Sequence, residues 1–158
     1  MIAVSISFVL LLSGLVAMGV TAGKQWAYGS SKLIADGDAS MAIQKLANEI
    51  RDGKRIDTAA STSSTLVVVF PLKNATTGDY DRFTDGTTYK YFLSGGNLVR
   101  QQGTNPTTVI ARAVNTVSFT YSGNNQVQIT LRTQKQMGTR TGVTTYVTQV
   151  SLRNEPTS

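Results

Sequence analysis

The chain of 158 residues contains no cysteine and no histidine. The first absence excludes a disulfide framework, a thiolate nucleophile and cysteine-based metal sites. It leaves the redox compartment open. The second removes the commonest general base and the commonest zinc ligand. Charge is also scarce: only 15% of residues are Asp, Glu, Lys or Arg, and the net charge is +6. Acidic side chains stop at Asp85 and resume at Glu155. Between them lie Lys90, Arg100, Arg112, Arg132, Lys135, Arg140 and Arg153 with no acid among them. That stretch has two readings. It is a footprint for phosphate or an acidic polymer, or it is a set of outward strand positions where Lys and Arg blunt sheet edges. No nucleophile–base pair, metal-ligand cluster or glycine-rich phosphate loop is visible, so a non-enzyme is expected.

What is present begins with an apolar run. Met1 to Gly23 carries no charged side chain. About 20 such residues at about 1.5 Å rise match a hydrocarbon core of about 30 Å. A cleaved secretory signal would have basic residues ahead of a shorter run, and here none precedes it. A signal anchor would usually carry a basic flank on its cytoplasmic side, yet the first basic residue, Lys24, follows the run. A third expectation fits better: a mature chain whose short basic leader was removed just before the apolar stretch. Trp26 and Tyr28 follow as interfacial anchors or helix–helix contacts.

From Trp26 to Asp52 there is no proline. Ile43, Leu46, Ala47 and Ile50 recur at helical spacing, with Lys45, Glu49 and Asp52 on other faces. Asp52-Gly53 with Lys54-Arg55 reads as a C-terminal stop. Asp36-Gly37-Asp38 is the place for a kink. A continuous helix would run about 50 residues, or ~75 Å, against a small domain only about 30 Å across. Its first part must therefore project and be covered by something else.

The pattern then changes from helical spacing to alternation. A Ser/Thr-rich linker, 58–65, precedes the apolar strand Leu66–Phe70, expected to end at Pro71. A turn-rich loop is expected over 74–86. Thr88–Leu93 and Asn97–Gln101 flank Ser94-Gly95-Gly96, a hairpin signal. Val117, Phe119 and Tyr121 share a face, as do Val127, Ile129 and Leu131, and Ser122–Asn125 turns between them. A polar turn over 136–142 leads to a last strand, 143–153, with Tyr146, Val150 and Leu152 inward and Val143 and Val147 opposite. The expected fold class is α+β: a long N-terminal helix packed on an antiparallel β-sheet of five or six strands. Three segments follow: a membrane or filament-core helix over 1–23, its amphipathic continuation over 24–57, and a β domain over 58–158.

Three lesser signals complete the reading. Asp79, Asp81 and Asp85 with Gly86 are spaced as weak loop ligands for calcium, or are simply turn residues. No metal or other cofactor is otherwise implied. Asn74-Ala75-Thr76 is a glycosylation sequon. Gly95-Gly96 is hairpin chemistry rather than a phosphate cradle.

This layout, with Gly14 inside the apolar run and the amphipathic Leu46–Arg51, resembles the type IV pilin superfamily. The segments Tyr89–Leu93, Leu98–Arg100 and Val150–Asn154 resemble minor pseudopilins of the J type. The resemblance implies cleavage by a prepilin peptidase, N-methylation of Met1, and residence in the inner membrane before assembly. It further implies a homo-oligomeric helical filament, extracellular on the cell surface and built with a dedicated assembly machinery. Its function would be that of a structural subunit polymerising through the apolar helix. The alternatives are a minor pseudopilin of a type II secretion or competence system, or a pilin contacting nucleic acid through its basic C-terminal half. Ile2, Ser5, Ile6, Val9, Leu10, Leu12, Gly14 and Val16 are the expected assembly residues. Ser5 departs from the family, where a glutamate usually neutralises a neighbour's N-terminal amine, so a hydroxyl replaces the buried charge pair.

Overall fold

Ile2–Arg51 form one continuous helix, α1, of 50 residues. The computed structural model describes the backbone of residues 2–137 and 140–153, and side chains from Val16 onward except positions 31, 82, 137 and 140. The helix runs through Gly14, Gly19 and Asp36-Gly37-Asp38 without a break. The expected kink is overridden by anchoring on both sides of that tripeptide. Ala35 and Ala39 are buried. The Thr133 hydroxyl donates to the Ala35 carbonyl at 2.8 Å, and the Thr144 hydroxyl donates to the Asp36 carboxylate.

The helix stops as expected at Asp52-Gly53, for a different local reason. Gly53 does not adopt the left-handed conformation typical of a glycine cap. A Cβ there would lie 2.5 Å from Val68 Cγ1 and 2.9 Å from the Ile50 carbonyl oxygen, so the position has no room for a side chain. The last carbonyls are closed by Gly53 N–H on Ile50 at 2.9 Å and Arg153 N–H on Arg51 at 2.8 Å.

Eight strands follow: β1 (Arg55–Ile56), β2 (Thr65–Lys73), β3 (Tyr80–Ser94), β4 (Asn97–Gln102), β5 (Thr108–Ala111), β6 (Val114–Ser122), β7 (Gln126–Met137) and β8 (Arg140–Ser151). They form two antiparallel sheets rather than one, of five strands in the order β1-β2-β3-β4-β5 and three in the order β6-β7-β8. The α+β class stands. Several boundaries move. Pro71 does not end its strand. β2 continues to Lys73 because Pro71 sits at a register irregularity, where a missing N–H disrupts no ladder bond. Gly86 makes that crossing possible: a Cβ on it would meet the Pro71 carbonyl oxygen and Leu72 Cα, both at 2.7 Å. The loop expected over 74–86 shrinks accordingly, since β3 begins at Tyr80. The polar turn over 136–142 shrinks as well, because uniform register carries β7 and β8 out to Met137 and Arg140. The short strand β5 carried no alternation that marked it out.

Both hairpins expected from turn residues form. Ser94 pairs with Asn97 around Gly95 and Gly96, whose φ angles of 56° and 73° suit a two-residue turn. Ser122 pairs with Gln126. The Ser/Thr-rich segment before β2 is not a loose tether. Phe119 N–H donates to the Ser63 carbonyl at 2.8 Å, and the Tyr121 hydroxyl reaches the Thr62 and Thr65 carbonyls at 2.6 and 2.8 Å.

The core lies between the second half of α1 and both sheets. Ile43, Leu46, Ala47 and Ile50 are all buried, and they meet Leu66, Val68, Tyr91, Leu98, Val127, Ile129, Leu131 and Val150. Alanines at 35, 39 and 42 are buried and keep that helix face low enough for close approach. Val150 on β8 and Leu152 just after it are buried as expected, Tyr146 is half-buried, and Val147 is exposed.

Candidate assembly surface

Within one chain, α1 has two unlike halves. From Ala35 to Ile50 its inner face is sealed. Upstream it has no cover: Val16 is 65% exposed, Met18 73%, Trp26 72% and Leu33 73%. Tyr28 and Ile34 are also exposed. Isolated apolar residues on a surface are ordinary, but this many large apolar side chains exposed along one stretch of helix mark a contact surface. Among the described residues no helix is long and apolar enough to cross a membrane. The expected assembly residues Ile2, Ser5, Ile6, Val9, Leu10, Leu12 and Gly14, and the methylation position Met1, lie outside the residues whose side chains are described. Val16 lies inside them.

The acidic loop expected as a calcium candidate is built otherwise. Among the described residues, no group of three or more acidic side chains is gathered to hold a metal. Asp85 takes Lys54 Nζ at 2.7 Å on one oxygen and Arg55 on the other at 2.8 Å. These two bonds hold the Asp85 carboxyl at about 2, well below the usual range. Lys54 is buried, and its ammonium also donates to the Phe83 carbonyl at 2.8 Å. Asp81 accepts from the Thr84 hydroxyl and from Phe83 N–H, which lowers its pKa too. Asp85 thus clasps the exit of α1 to β3, while Asp81 ties the start of β3 to itself. Asn74, the sequon residue, accepts from the N–H groups of Thr76 and Thr77 at 2.8 and 3.3 Å and so organises the β2–β3 turn.

At the C-terminal end of α1 the sheet outruns the helix. A cleft of about 510 Å³ opens there over Phe70, Tyr80, Tyr89 and Tyr91, rimmed by Glu49, Asp52, Arg100 and Arg153. Glu49 accepts from Arg100 at 3.3 Å and from the Tyr91 hydroxyl at 3.5 Å, and Arg100 stacks over Tyr89 at 4.8 Å. Burial pushes the Tyr91 hydroxyl pKa far up, so it stays a neutral donor. The charges of this cleft pair with each other.

The other end of the domain differs. A second hollow of about 430 Å³ lies where α1 enters the β structure. It is lined by Asp38, Met41, Ala42 and Lys45 of the helix, by Ile110–Ala113, and by Lys135 of β7. Three cations meet there, from α1, the β5–β6 link and β7. Sequence spacing cannot show this, since Lys45, Arg112 and Lys135 are far apart along the chain. Ala113 on its rim has φ 57°. Among the described residues it is the one non-glycine residue with positive φ, a conformation that costs about 1–2 kcal/mol.

The sequence matches no family model, no characterised protein and no solved structure.

Proposed function

We propose that the chain is a structural subunit of an extracellular filament of the type IV pilin kind, polymerising through its N-terminal helix. The observation carrying this reading is the helix in two halves: its inner face sealed on its own β domain from Ala35 to Ile50, and the large apolar side chains Val16, Met18, Val20, Trp26 and Leu33 exposed upstream. The stretch of sequence before Val16 carries no charged residue either. In a bilayer, lipid covers such a segment and its backbone bonds are internal. Out of the bilayer, the helices of other copies replace the lipid. At about 25 cal/mol per Å², leaving the segment in water would cost on the order of tens of kcal/mol. The β domain is then the displayed part, and catalysis has no role in the design.

Leu10→Asp and Val16→Asp place a carboxylate in this surface. Each variant is expected to abolish fibres sheared from cells while the β domain keeps its circular dichroism spectrum and thermal midpoint. Fibres at wild-type abundance from either variant would refute the reading.

A further inference from the structure

We infer that neighbouring copies meet head to tail through Asp79 of one copy and the Lys45–Arg112–Lys135 hollow of the next. The inference rests on the filament reading and adds a specific contact to it.

It starts from the state of each acidic side chain. Among the described residues, Glu49 and Asp85 are ion-paired, and Asp52 lies 3.9 Å from Arg153. Asp36 accepts from Thr144, Asp57 from Ala60 N–H, and Asp81 from Thr84 and Phe83. Asp38 lies in the hollow itself. Asp79 is left. Its backbone is tied into the turn, with Asn74 N–H on its carbonyl and its own N–H on the Thr77 hydroxyl, but its carboxylate takes no hydrogen bond or ion pair among the described residues. Lys73 beside it turns over the Tyr80 ring at 5.9 Å rather than onto Asp79. Among the described residues, Asp38 and Asp79 are thus the carboxylates without a hydrogen bond or ion pair, and Asp79 is the one that lies outside the hollow, on an ordered turn.

The cations show the converse. Lys45, Arg112 and Lys135 make no ion pair within the described residues, although Asp38 shares the hollow with them. Three like charges around one cavity repel each other, and the Ala113 backbone is held in an unfavourable conformation beside Arg112. An incoming carboxylate relieves the repulsion, and the apolar side chains of Met41 and Ile110 line the hollow beside the cations.

The two features sit at opposite ends of the domain. The hollow flanks Asp38–Lys45 where α1 enters, and the Asp79 turn adjoins Tyr80, which lines the cleft beyond the helix end with Asp52. From Asp38 to Asp52 the helix rises about 21 Å. Complementary patches at opposite ends make a heterologous contact. Such a contact does not close on itself and so propagates along an axis.

The absence of cysteine permits a background-free test in cells that make the full chain. A chain carrying Asp79→Cys and Lys135→Cys should give a disulfide ladder of dimers, trimers and larger species in oxidised fibres. The single-cysteine chains should give none beyond dimers. Separately, Asp79→Lys and Lys135→Glu should each lower fibre yield about tenfold, and the two together should restore it. Fibres that form normally without a ladder, or single charge reversals that assemble like wild type, overturn the contact and leave the filament reading standing. A wild-type chain that forms no fibres overturns both.

Discussion

Lys54 is the residue whose placement sequence alone would not suggest. A lysine just past a helix end reads as a solvated cation near the helix dipole. Here its ammonium is buried and held by the Phe83 carbonyl and Asp85. Asp85 is about half exposed, which weakens the pair, but its loss leaves Lys54 with one partner. Asp85→Asn is expected to lower stability by about 1 kcal/mol in urea unfolding at neutral pH. The pH dependence has a definite sign. The folded carboxyl titrates near 2, below its value in the unfolded chain, so its contribution is complete above about pH 4 and is lost as pH falls toward 2. The wild-type thermal midpoint should therefore drop over that interval, and the Asp85→Asn protein should lack that part of the drop. The aspartates at 79, 81 and 85 were legible as a cluster, but not their separate uses. Those depend on Lys54 and Arg55, which the helix stop brings over β3.

At the scale of the element, α1 carries two surfaces under one helical backbone. The buried stripe of Ile43, Leu46, Ala47 and Ile50 was legible because a packed helix repeats its apolar positions every three or four residues. Leu46→Ala should cost about 2–5 kcal/mol in the unfolding free energy, since Leu46 is fully buried in the core. Leu33→Ala should change that free energy by less than about 0.5 kcal/mol, because Leu33 is 73% exposed. Under the filament reading, the same Leu33→Ala change should reduce fibre yield. The contrast between equal chemistry and opposite readouts separates fold from assembly on one helix. Strand boundaries were less legible. Alternation marked the central parts of β6, β7 and β8, whose inner faces are buried, and missed β5 and the outer ends of β3, β7 and β8. There apolar positions are few or do not alternate, and backbone pairing rather than side-chain pattern keeps the chain extended.

For the whole molecule, the β structure folds around the second half of α1 and leaves the first half outside. A chain shortened to begin at Ala35 keeps every buried helix contact of the core. It is expected to be monomeric by sedimentation and to unfold within about 0.5 kcal/mol of the β domain in the full chain. The full chain should need detergent or assembly to stay dispersed. The charges follow the same division into ends. The aromatic cleft at the helix C-terminus has its charges paired, while the hollow at the helix entry has cations in excess.

The sequence by itself determined the α+β class, the single long helix, its inward stripe and the hairpin turns. Each of these depends on local repetition: the periods of 3.6 and 2, and glycines where φ must be positive. Tertiary structure decided the rest. It split the strands into two sheets, carried β2 through Pro71 past Gly86, and placed Gly53 where no side chain fits. It also turned three distant cations into one hollow and, among the described residues, left Asp79 on its turn without a hydrogen bond or ion pair on its carboxylate. Such features depend on which elements meet in space, and residues far apart in the chain record that only once the chain is folded.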